Sequence, residues 1–216
     1  MTIEPSDADL LSAWAAGERS AGAALVERYF ALVYRFFRNK VGTELEDLVQ
    51  QTFLGCTEAR TRYQGHANFK TFLLAIARNQ LFLHYRKQHR AALDLELTPL
   101  QDLKTSPSGV VARHQERKLV AEGLRRVPLA AQVVLELLYW EGLEIDEIAR
   151  VLDVPLNTAY SRVHRARMAL RAQLEALAPD AAGRILSDIE ARTDAQKPSV
   201  RIGSPTRASL PRNATS

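Results

Sequence analysis

The chain has 216 residues, 46% of them hydrophobic, and a formal net charge of +4, which suits one large or two small globular domains with apolar cores. No apolar run approaches the length of a bilayer span, and the opening MTIEPSDADL lacks the basic and apolar regions of a secretory signal. A single cysteine, Cys56, excludes an internal disulfide framework and a cysteine-based zinc site. It lines up with Leu48 and Thr52 at helical spacing and reads as buried filler, so the expected setting is the cytoplasm, with no membrane insertion.

The predicted elements are all helices. Residues 6–16 open with a capping pair, Ser6 and Asp9, carry an apolar edge of Leu10, Leu11 and Trp14, and stop at Gly17. A longer helix over 20–40 has a broad stripe of Leu25, Val26, Tyr29, Phe30, Val33, Phe36 and Phe37. Thr43 to Glu46 then forms a capping box for a helix over 44–62. Its core face is Leu45, Leu48, Val49, Phe53 and Cys56, and its other face shows Glu46, Asp47, Gln50 and Gln51.

The helix over 68–90 has two faces. Phe69, Phe72, Leu73, Ile76, Ala77 and Leu83 form an apolar stripe, while Arg78, Phe82, Tyr85 and Arg86 cluster on a second face by the three-and-four rule. No Asp or Glu occurs between Arg60 and Arg90, where Arg60, Arg62, Lys70, Arg78, Arg86, Lys87 and Arg90 are basic. Cations interleaved with exposed aromatics suit single-stranded nucleic acid, the charges following the backbone and the rings stacking on bases. The competing reading is that Phe82 and Tyr85 are core and the charges a solvated face.

Residues 91–109 are locally acidic, are punctuated by Pro99, Pro107 and Gly109, and have no sustained period, so they read as a flexible linker. Helical segments follow over 110–126 and 129–139, the second with Val133, Val134, Leu137 and Leu138 apolar. Then comes a helix-turn-helix. Leu143, Ile145, Ile148, Ala149 and Leu152 mark the buried face of its first helix, Asp153-Val154-Pro155 breaks the pattern, and Pro155 suits the start of a second helix. In that second helix Ala159, Val163 and Ala166 pack inward, while Asn157, Thr158, Tyr160, Ser161, Arg162, His164, Arg165 and Arg167 point out. Amides, hydroxyls and arginines on one exposed face are what a major-groove reader needs. The second helix continues through Leu170 and Leu174 to about Leu177, and Pro179 ends the ordered module. Beyond it, Ile185, Leu186 and Ile189 support at most a short amphipathic helix, and 193–216 reads as disordered.

Three stretches in this order carry a resemblance: ELEDLVQQTFLGC at 44–56, FKTFLLAIARNQLFLHYRKQHR at 69–90, and the helix-turn-helix with its leading helices at 124–174. Over residues 5–177 the chain resembles a bacterial sigma factor of the extracytoplasmic-function (ECF) group of the sigma-70 family. The resemblance implies an all-α fold of two small helical domains, a region-two bundle over 1–90 and a region-four helix-turn-helix domain over 110–178, with a C-terminal extension over 179–216 that is largely disordered. It implies core RNA polymerase, promoter DNA and an anti-sigma factor as partners. Glu46, Asp47, Gln50, Gln51 and Phe53 would dock on polymerase; Arg78, Asn79, Phe82, Tyr85 and Arg86 would hold the melting minus-10 element. The helix 156–167 would read the minus-35 element, and the acidic linker would run through the RNA-exit region.

The chain departs from the family pattern in places. Phe72 stands where tryptophan is common, Leu83 where aspartate is usual, Glu144 in place of a Ser or Thr cap, Asp153 in place of a turn glycine, and Asn157 where glycine is frequent. The alternative function is a free-standing helix-turn-helix regulator whose N-terminal half binds a ligand or partner. An enzyme finds no support. There is no glycine-rich phosphate loop or nucleophile–base pair, and His66, His84, His89, His114 and His164 are scattered, so no catalytic residue, metal or cofactor is expected.

Overall fold

A computed structural model describes residues 4–59, 68–88 and 113–196. Among these the secondary structure is helical: α1 (Asp7–Ala15), α2 (Arg19–Arg38), α3 (Leu45–Ala59), α4 (Phe69–Gln88), α5 (Arg113–Arg125), α6 (Leu129–Tyr139), α7 (Ile145–Leu152), α8 (Leu156–Leu177) and α9 (Pro179–Gln196). The linker expected over 91–109 lies outside the described residues, as do Arg60, Arg62 and Arg90 of the basic stretch.

The first group of helices is α1 to α4. The Ser6 hydroxyl accepts the Asp9 N–H at 3.2 Å and the Asp9 carboxylate accepts the Ser6 N–H at 3.2 Å, the reciprocal cap that the sequence suggested. Gly17, at φ +102°, turns the chain into α2. There Gly22 permits a close crossing, since a Cβ on it would lie 2.5 Å from the Trp14 indole nitrogen. Leu25, Val33, Phe36 and Phe37 of α2 are buried with Leu48, Val49 and Cys56 of α3. Phe30, expected within the apolar stripe, is instead an exposed ring stacked against Tyr34, with centroids 6.1 Å apart.

The second group is built around α6 and α8. Nearly every apolar side chain of α6 is buried, including Leu135 outside the expected stripe, because α7, α8 and α9 all pack on it. The one amide inside, Gln132, donates to the Val127 carbonyl at 3.0 Å. The expectation that the ordered module ends at Pro179 is corrected here. Pro179 is the first residue of α9, a position where a missing N–H costs nothing. Ala182, Ile185 and Ile189 of α9 are buried, and α9 packs on α6 and α8. Residues 197–216 lie outside the described residues.

The two groups touch. α4 packs against α7, and ion pairs join α2 and α4 to α6 and to the connection that follows it.

Candidate nucleic-acid interface

The helix-turn-helix is formed by α7 and α8. The Glu144 N–H donates to the Glu147 carboxylate at 3.0 Å, so Glu147 supplies the start of α7 with a capping acceptor despite the absent Ser or Thr. Asp153 closes the helix at φ 52°, ψ 55°, the left-handed turn for which glycine is usual and which aspartate tolerates. Its N–H reaches the Arg150 carbonyl at 3.3 Å. Pro155 sits immediately before α8, and its carbonyl accepts the N–H groups of Thr158 and Ala159 at 2.9 and 3.1 Å.

Along α8 the inward residues are the expected ones: Ala159, Val163 and Ala166 are buried. Asn157, Tyr160, Ser161, His164, Arg165 and Arg167 are exposed, while Thr158 and Arg162 are half-buried. Small inward residues let the helix sit close to its neighbours, which leaves the long polar side chains in water. From Val154 to Leu174 there is no acidic residue, and Arg162, Arg165, Arg167 and Arg171 are basic, so the positive potential of this face has no internal counter-charge before Glu175. Arg171 is drawn onto Glu175 at 2.8 Å. The Ser161 hydroxyl is held on the Asn157 carbonyl at 3.0 Å. Arg167 differs from its neighbours: its guanidinium lies 5.6 Å from the Tyr139 ring centroid, toward α6.

The second face, on α4, differs from expectation. Arg78, Asn79, Phe82, Tyr85 and Arg86 do share one side of the helix, but the two rings are not free to stack. Phe82 is 8% exposed and Tyr85 6%. The Tyr85 hydroxyl donates to the Lys40 carbonyl at the end of α2, and burial pushes its pKa up to about 12. The Arg78 guanidinium lies over the Phe82 ring, 4.4 Å from its centroid, and donates to the Asn79 side chain at 3.0 Å. What faces outward is therefore Asn79 and Arg86 at the surface, with Arg78 half-buried on an aromatic base. Leu83, expected in the apolar stripe, is exposed; Leu74 and Leu81 take the core positions.

The third face is on α3. Glu46, Asp47, Gln50 and Gln51 are exposed and Phe53 is half-buried against the core. An acidic and amide surface with one aromatic at its edge suits a protein partner and repels a phosphate backbone.

Residues 25–91 match the family description Sigma-70 region 2, and residues 117–170 match Sigma-70, region 4. The chain belongs to the sigma-70 family, in its ECF group. The first match spans the α3 and α4 faces; the second spans α6, α7 and the exposed part of α8. This sigma factor is 27% identical over 196 residues to the RNA polymerase sigma-H factor of Pseudomonas aeruginosa, covering 84% of this chain and all of the relative. It is 27% identical over 173 residues to the ECF RNA polymerase sigma factor SigW of Bacillus subtilis, covering 74% of this chain and 92% of that one. Its fold is similar to that of CnrH, solved in complex with the cytosolic domain of CnrY, with a TM-score of 0.56 at 24% identity, covering 77% of this chain and 96% of CnrH. No helix among the described residues is long and apolar enough to cross a membrane.

Sequence reasoning did not find one set of residues at these faces: Lys40, Glu136, Glu141 and Glu147, which join the two helical groups. Their partners lie roughly a hundred positions away, as with Lys40 and Glu136, 96 residues apart, so no periodicity announces them.

Proposed function

We propose that this sigma factor binds core RNA polymerase through the exposed face of α3 and directs it to promoters, acting by binding and not as a catalyst. Its region-two helix α4 holds the minus-10 element through Arg78, Asn79 and Arg86, and its region-four helix α8 reads the minus-35 element. Phe82 and Tyr85, buried, support that α4 face from beneath. The observation that carries the reading is the exposed, acid-free face of α8 on a well-formed helix-turn-helix, in the same chain as a separate acidic and amide face. A free-standing regulator needs the first but has no use for the second. Asn157, Thr158, Tyr160, Ser161, Arg162 and Arg165 read or clamp the major groove; His164 and Arg167 flank it. The site of action is the cytoplasm, where the polymerase is. An anti-sigma factor, masking one of these faces, is the further partner.

The proposed domains are region two over 1–90 and region four from 110, the latter now carried through α9. The test is binding of the full chain to purified core polymerase. Co-elution from a sizing column is expected, and Asp47→Ala with Gln50→Ala should weaken it at least about tenfold, a loss in the range that interface anchors produce. Unaltered binding by the double variant would remove α3 from the polymerase interface.

A further inference from the structure

The two helical groups meet through charge. Glu136 of α6 receives the Lys40 ammonium, whose side chain has no exposed surface, and Lys40 also donates to the Phe36 carbonyl. Glu141, between α6 and α7, pairs with Arg35 at 2.8 Å and Lys70 at 2.9 Å, and its own side chain is 8% exposed. Its backbone carbonyl accepts a further bond from Lys70 at 2.7 Å. Glu147 of α7 accepts from the Asn68 amide at 2.6 Å and the Thr71 hydroxyl at 3.3 Å. All three carboxylates belong to the C-terminal group, and all their partners across the contact belong to the N-terminal group.

A contact of this kind has two states. Apolar side chains in place of a buried ion pair often give equal or greater stability, whereas removing one partner strands a charge, so the pairs form together or hydrate together. Intrachain interfaces that are polar are those along which domains separate.

The closed state is incompatible with reading both promoter elements. Elements named for positions 10 and 35 are centred about 25 base pairs apart, or about 85 Å along a straight duplex. With α4 against α7, helix rise and packing distance keep the α4 and α8 reading residues within about 60 Å even if laid end to end. Opening is within the reach of the chain, since residues 89–112 between α4 and α5 can span about 80 Å when extended.

We propose that the free sigma factor rests closed, with the Glu136, Glu141 and Glu147 contacts as a brake on promoter reading, and that core polymerase engages the open form. The brake rests on the promoter-reading roles assigned to α4 and α8. The α3 face is exposed in the closed form, so polymerase can dock before the groups part. A partner that needs the open form binds with an affinity reduced by the fraction of chain that is open.

The test uses the full chain with donor and acceptor dyes at Glu58→Cys and Ala172→Cys, both exposed positions, the buried Cys56 remaining unlabelled. Energy transfer and affinity for core polymerase are measured for this pair alone, with Glu141→Lys, and with Glu141→Lys, Arg35→Glu and Lys70→Glu together. High transfer is expected in the first. Glu141→Lys sets like charge against Arg35 and Lys70, so it should lower transfer and tighten core binding at least threefold. The charge-exchanged triple variant should restore both values. Low transfer in the unmodified chain, unchanged transfer in Glu141→Lys, or opening with no gain in core affinity would each overturn the brake. No core binding by any form, with transfer still responding, would overturn the functional reading and the brake with it.

Discussion

At the scale of the residue, an interface is made by what a helix leaves in water. In α8 the three inward positions are alanine or valine, so the arginines that alternate with them have nowhere to go but out. Arg162→Ala and Arg165→Ala should each weaken minus-35 binding. Where the contact is to phosphate, the slope of log affinity against log salt should fall by about 0.9. A salt titration of binding to a minus-35 duplex checks this, and unchanged affinity in both variants would remove the face from the account. Cys56 gives a second residue-scale prediction. Its thiol is fully buried, and burial pushes its pKa up to about 12, so it has almost no thiolate at neutral pH. A thiol reagent at pH 8 should find no reactive group in the native protein and one per chain after denaturation. The inward and outward assignment of α8 and the burial of Cys56 were legible in the sequence, because a 3.6-residue period alone decides them. Phe82 and Tyr85 were not. The period places them on one side of α4 with Arg78, but whether that side is covered depends on the end of α2, where Lys40 receives the Tyr85 hydroxyl.

At the scale of the element, a stop signal and a start signal can be the same residue. Pro179 after an apolar helix reads as an end; the structure uses it to begin α9. The apolar residues Ile185 and Ile189 were visible, but their destination on α6 and α8 was not, because a short amphipathic segment is stable only if a surface awaits it. Ile185 is 2% exposed, so Ile185→Ala should cost about 2–4 kcal/mol, read as a fall of several degrees in the melting temperature. A melting temperature unchanged by that substitution would mean that α9 does not belong to the folded module. The turn of the helix-turn-helix offers a finer test. With Asp153 at φ 52°, Asp153→Gly should hold or raise stability, while Asp153→Val should lower it by about 1–2 kcal/mol, measured by the same melts.

At the scale of the whole molecule, the fold class, the order of the domains and the three faces could be read from the chain, since each rests on a local pattern. The way the two helical groups sit together could not. It is set by pairs such as Arg35 with Glu141, 106 residues apart, and by a packing of α4 on α7 that neither helix displays in its own sequence. The most direct measurement of the central claim is run-off transcription with purified core polymerase on a library of genomic fragments, with and without the full chain. The account predicts discrete start sites that appear only with the chain and share two upstream elements, the upstream one altered in preference by Arg165→Ala. Start sites identical with and without the chain, together with sequence-specific DNA binding by a dimer of the chain alone, would contradict it and favour a free-standing regulator.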